Sequence, residues 1–101
     1  MEEVLHQTPK GLKFDSEKLR YDLMPPVAVE AWVNNLTIGA AKYGAGNWAF
    51  VDNGIERYKA ALLRHVFAYM SGERMDKDGF HHMGAVMSCA AFIIELEKKN
   101  G

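Results

Sequence analysis

Cysteine is nearly missing: Cys89 is the single one among 101 residues. No internal disulfide can form, so the chain must hold itself by packing. Cys89 itself sits in an apolar run and reads as a small core residue. An excess of one charge is missing too. Twelve Lys and Arg stand against thirteen Asp and Glu, a formal net charge of −1. That leaves no broad basic face for duplex nucleic acid. No apolar run reaches the roughly 20 residues that a membrane-spanning helix needs. The opening Met1-Glu2-Glu3 is acidic and unlike a signal peptide, which makes a cytosolic location the default expectation. Internal repeats and low-complexity tracts are absent. What is present is an apolar content of 49%, enough for one thin core in a chain of single-domain length.

Proline is scarce, and two of the three stand together at Pro25-Pro26. Proline fits the first turn of a helix, where its missing N–H is not needed. The pair divides an irregular N-terminal arm, residues 1–24, from a helical domain, residues 25–101. In the arm, Lys10, Lys13, Lys18 and Arg20 are offset by Asp15, Glu17 and Asp22. It reads as a solvated arm lying over the core and anchored by Phe14, Tyr21 and Leu23, or as a carrier of cations that reach a phosphate.

Three principal helices follow. The first spans about Pro26 to Tyr43, with Val29, Trp32, Val33, Leu36 and Ala40 as its buried face and Gly44 as its stop. Glu30 lies beside that face, as a rim charge or an inward-facing ligand. The loop 44–54 carries Trp48 and Phe50, either two anchors to the core or an aromatic surface for a base or partner. Asn53 and Glu56 have the spacing of a reciprocal helix cap. The second helix runs from about Gly54 to Ser71. Tyr58, Leu62, His65 and Tyr69 share one of its faces, and Arg57 and Arg64 another. His65 on that face reads as a satisfied core histidine or a catalyst. The third helix starts near Gly79, with Asp78 as N-cap, and runs to about Lys99. It is apolar nearly all round, so its spare face is expected to meet a second copy of the chain. Gly84, Ala85, Ser88, Ala90 and Ala91 would permit close helix contact. The expected fold is an all-α bundle of three helices, assembled as a homo-oligomer.

Between the second and third helices, Glu73, Asp76, Asp78, His81 and His82 crowd a short turn next to cationic residues. Divalent metal plus phosphate is one physical use for that combination. A solvated loop is the other.

Several separated runs resemble one family. They are Lys18-Leu19-Arg20-Tyr21-Asp22-Leu23-Met24-Pro25-Pro26, Lys42-Tyr43-Gly44 with Asn47-Trp48, Arg64-His65, Gly72-Glu73-Arg74-Met75-Asp76, then Gly79 and His82. Together they look like the phage-associated dATP/dGTP diphosphohydrolase domain, which is similar to the all-α, MazG-like nucleoside triphosphate pyrophosphohydrolases. The resemblance spans about Gly11 to Ile94. It implies hydrolysis of a purine deoxynucleoside triphosphate to monophosphate and pyrophosphate with Mg²⁺ or Mn²⁺. It also implies the roles. Glu30, Glu73 and Asp76 would hold metal, with Glu73, Asp76 and His82 catalytic. Lys18, Arg20, Lys42, Asn47, Trp48 and Arg64 would bind the nucleotide.

The chain departs from that pattern at Ala85, where a second histidine is expected, and at Cys89, where an asparagine is expected. The turn before Gly79 is one residue short. A second expectation therefore stands beside the enzyme: a phage protein that binds a nucleotide without turnover and sequesters a host defence signal. A helical assembly protein is the third.

Overall fold

The computed structural model describes residues 11–100. Lys10 and the acidic start at Met1-Glu2-Glu3 lie outside them. The described residues form three α-helices: α1 (Pro26–Tyr43), α2 (Gly54–Met70) and α3 (His82–Asn100). Single 3₁₀ turns stand at Tyr21–Leu23 and Asn47–Phe50, and no strand is present among the described residues. The all-α architecture expected from the sequence is therefore the architecture found. None of these helices is long and apolar enough to cross a membrane.

The helix boundaries follow from local chemistry. Pro26 opens α1, and Gly44, with φ 97°, closes it by donating its N–H to the Ala40 carbonyl at 2.8 Å. At the end of α2, Gly72 takes φ 101° and donates to Tyr69 O, while Glu73 donates to Ala68 O. These two bonds form a Schellman cap. It turns the chain so that Glu73 leaves α2 in a set direction.

Two expected caps are corrected. Asn53 does precede α2, but its backbone is left-handed and its side chain caps nothing; Glu56 pairs with Lys59 at 3.1 Å instead. The reciprocal cap needs an extended Asn53, and φ 56° turns its side chain away from the helix end. Likewise α3 starts at His82, not near Gly79. His81 is its N-cap: Nδ1 accepts the Met83 N–H at 2.9 Å, and its carbonyl accepts from Gly84. Asp78 cannot serve, because residues 74–82 form a tight hairpin closed by Asp76 N–H to Phe80 O and His82 N–H to Arg74 O.

α3 is the central element and packs against both α1 and α2, which barely touch each other. The small residues of α3 do permit close contact, but with α1 of the same chain. A Cβ on Gly84 would stand 2.6 Å from the Ala31 carbonyl oxygen. Buried apolar residues among those described are Ala85, Cys89 and Leu96, all on α3. The expected inner face of α1 is only partly right. Val29, Trp32 and Leu36 are half-buried, whereas Val33 and Ala40 are exposed. Tyr69 on α2 is exposed as well. The arm is corrected more strongly. Phe14, Tyr21 and Leu23 anchor nothing and are 80%, 70% and 67% exposed.

Candidate functional site

Because α1 and α2 are held apart by α3, a cavity of about 920 Å³ opens between them, with α3 as its floor. Its two ends differ in chemistry. At one end Trp48 stacks on Phe92, with ring centroids 4.8 Å apart and planes 5° from parallel. Tyr58 packs on the same Phe92, and its hydroxyl donates to the Trp48 carbonyl at 3.0 Å. Trp48 is thus an anchor that also lines the cavity. Phe50, the second expected anchor, is exposed and covered only by the Lys99 ammonium.

The other end is polar. Lys42, Arg64, His65, Asp76 and Asp78 line it. Lys42 Nζ holds Asp78 Oδ2 at 3.1 Å, and that carboxylate raises the Lys42 pKa. The pair ties the end of α1 to the 74–82 hairpin, as does the bond from Asn34 Nδ2 to Gly79 O. Within the hairpin, Asp76 Oδ2 accepts the Asp78 N–H at 2.9 Å, which fixes the carboxylate over its own turn.

Behind this end sits a histidine pair. His65 Nδ1 and His82 Nδ1 are 2.8 Å apart, so one carries a proton and the other accepts it. Phe80 meets both rings edge-on. His82 is 3% exposed, its Nε2 has no hydrogen-bond partner, and Glu73 Oε1 lies 3.6 Å from that nitrogen. A row forms in the order Glu73, His82, His65, cavity. Burial first, then His82, lowers the His65 pKa, with Asp76 opposing, which favours the uncharged ring. Burial raises the Cys89 thiol, which disfavours its thiolate.

The structure sorts the expected site residues into groups. Lys42, Asn47, Trp48, Arg64 and Asp76 line one cavity. Glu73 and His82 stand just behind it. Glu30 does not join them; it lines a separate shallow depression with Tyr21, Asp22 and Val33. Neither Lys18 nor Arg20 lines the cavity, and Arg20 is engaged by Asp22 through two bonds of 2.9 and 2.8 Å. Ala85 and Cys89, the two departures, lie on the cavity floor. Sequence reasoning did not assign Asn35, Arg57 or Phe92 to the site. Arg57 was within reach, since it shares a helix face with Arg64; the other two needed the packing of α3.

The donors that a divalent cation requires can be compared with those present. Among the described residues no three His, Cys, Asp or Glu side chains converge on one point. A closed, all-protein cage is therefore not built within them. An open site is compatible: Mg²⁺ is commonly held by one or two carboxylates, with waters and substrate phosphates completing the shell. Asp76 at the cavity edge fits that manner of binding, whereas Glu73 stands behind the two histidines, beside the unpartnered His82 Nε2.

Comparison with known proteins identifies the family. A curated relative, the dATP/dGTP diphosphohydrolase of Salmonella phage PMBT28, is 37% identical over 87 residues. The match covers 85% of this chain but 29% of the relative, so the chain spans less than a third of that protein's length. No solved structure matches. The family model described as "dATP/dGTP diphosphohydrolase, N-terminal" matches residues 8–101, and the chain belongs to that family.

Proposed function

We propose that the cavity binds a purine deoxynucleoside triphosphate and that the protein hydrolyses it to monophosphate and pyrophosphate with a divalent cation. The observation that carries this reading is the polarity of the cavity along α3. From His82 to Phe92 is ten residues, about 15 Å of helix. An aromatic stack ends that span on one side, and cations with carboxylates end it on the other. A nucleotide has the same layout, with a flat base at one end and charged phosphates at the other.

Each side chain has a definable task. Trp48 and Phe92 offer a flat apolar surface to the base. Arg64 and Lys42 hold phosphate oxygens, Lys42 by exchanging Asp78 for the ligand. Asp76 would hold the cation, which, when bound, would screen the phosphates and polarise the scissile bond, while Glu73 supports His82 from behind the histidine pair. The Glu73–His82–His65 row can take a proton from water at the polar end and keep the rings oriented. The proposal includes a homo-oligomer and a cytoplasmic location, in the host if the chain is phage-encoded.

One observation favours a second reading, a nucleotide-binding protein without turnover. Ala85 and Cys89 put neither an imidazole nor an amide on the cavity floor, where the resemblance leads one to expect them. Purified protein with a panel of nucleotides, with and without Mg²⁺ or Mn²⁺, separates the two. Metal-dependent pyrophosphate release supports the enzyme. Tight binding with no product replaces it with the binding protein.

A further inference from the structure

His65 and His82 share one proton between their Nδ1 atoms, 2.8 Å apart. With both rings uncharged, two arrangements are possible. In one, His65 carries Nδ1–H and His82 carries Nε2–H. In the other, His82 carries Nδ1–H and His65 carries Nε2–H. Glu73 selects between them. Its Oε1 lies 3.6 Å from His82 Nε2, which is buried and has no hydrogen-bond partner among the described residues. That gap is too long for a hydrogen bond, but across it a carboxylate attracts an N–H and repels a lone pair. The first arrangement is therefore favoured. His65 donates through Nδ1, and its Nε2 keeps a lone pair. Among the described residues that nitrogen has no partner and, unlike His82 Nε2, is not sealed from solvent. His65 lines the cavity and His82 does not. The two nitrogens of an imidazole point in divergent directions. With Nδ1 turned to His82, the Nε2 lone pair turns to the polar end of the cavity.

We propose that His65, through Nε2, is the general base of the hydrolysis, and that Glu73 prepares it by fixing the tautomers of both rings. This rests on the nucleotide reading of the cavity. His65 Nε2 takes a proton from water. The water oxygen keeps the electron pair of that bond and forms a bond to the α-phosphorus. The bond from that phosphorus to the bridging oxygen breaks, and pyrophosphate leaves with its electron pair. The imidazolium formed on His65 still donates Nδ1–H to His82, whose own Nε2–H faces the Glu73 carboxylate. The opposite tautomer would turn an N–H to the water and could accept no proton. His65 is thus a catalytic residue. His82 and Glu73 are positioning residues that act through it.

Nitrogen NMR of the metal-free wild-type protein, above the pH at which its histidines titrate, reads the tautomers directly. His65 Nε2 and His82 Nδ1 should show the shift of a bare ring nitrogen, and His65 Nδ1 and His82 Nε2 that of an N–H. Glu73→Gln removes the charge and should mix the two arrangements, which loss of a merely structural contact would not do. With deoxynucleoside triphosphates, His65→Gln should lower kcat by about a hundredfold or more, the scale of general-base catalysis, and leave KM nearly unchanged. Mn²⁺ should bind His65→Gln as it binds the wild type, because a base is not a ligand. Four results would each overturn the inference while the nucleotide site stands. They are an Nε2–H tautomer on wild-type His65, tautomers indifferent to Glu73→Gln, full kcat in folded His65→Gln, and weakened Mn²⁺ binding in that variant. The wild-type spectrum needs no variant to fold. Folded wild-type protein that binds no deoxynucleoside triphosphate would overturn the nucleotide reading, and the catalytic role of His65 with it, whatever the tautomers.

Discussion

At the scale of single residues, placement by a neighbour decides what a side chain can do. Glu73 owes its position to Gly72, whose left-handed backbone completes the α2 cap and turns the carboxylate toward His82. Glu73→Gln is expected to lower metal-dependent turnover by at least about a hundredfold, the scale seen when a group stabilising transition-state charge is lost. Circular dichroism should be unchanged, because the Glu73 side chain is 58% exposed and the amide has the same shape. Full activity in this variant would move the acidic centre elsewhere. His65 gives a pH prediction. Its folded-state pKa is lowered, so the unfolded chain binds the proton more readily. Its contribution to stability is therefore full above the ordinary histidine range and is lost as pH falls through the folded value. The denaturant midpoint of metal-free protein should drop between pH 7 and pH 5, and His65→Asn should flatten that part of the curve. The pairing of His65 with His82 was not legible in the sequence: 17 positions separate them, and only the α2–α3 packing brings the rings together.

At the scale of elements, helix existence was legible and the entry of α3 was not. The limits of α1 follow from Pro26 and Gly44 alone, because both residues act on the backbone within a single turn. The entry of α3 does not, because the hairpin 74–82 takes Asp76, Asp78 and Gly79 into its own hydrogen bonds and leaves the cap to His81. The crossing of α3 over α1 depends on Gly84. Gly84→Ala puts a methyl group 2.6 Å from the Ala31 carbonyl, closer than van der Waals contact allows. A loss of about 1–3 kcal/mol is expected, the usual cost of overpacking, and thermal unfolding would measure it. A melting temperature equal to that of the wild type would mean that α1 can slide away from α3 freely. Glu56→Gln, by contrast, removes only an exposed pair with Lys59 and should cost less than about 1 kcal/mol.

At the scale of the whole molecule, one chain leaves too much apolar surface uncovered. No large side chain is fully buried among the described residues. Leu63, Phe67 and Met70 recur at steps of four and three along the outside of α2, more than half exposed each. A homo-oligomer is expected to cover that stripe, and Ile94 leaves exposed apolar surface on α3 as well. Light scattering should give a multiple of 11.3 kDa at micromolar concentration, and Phe67→Lys should shift it toward the monomer. A wild-type monomer would overturn this. By itself the sequence determined the helical class, the limits of α1 and the crowding of Glu73, Asp76 and His82 near one turn, because these depend on residues a few positions apart. Only the tertiary structure decided which groups share the cavity. α3 separates α1 from α2, so Arg64 and Lys42 face each other across a gap while Glu30 looks outward into another depression. The physical reason is that periodicity assigns a residue to a face of its helix, whereas the contents of a cavity depend on how three helices are set around one another.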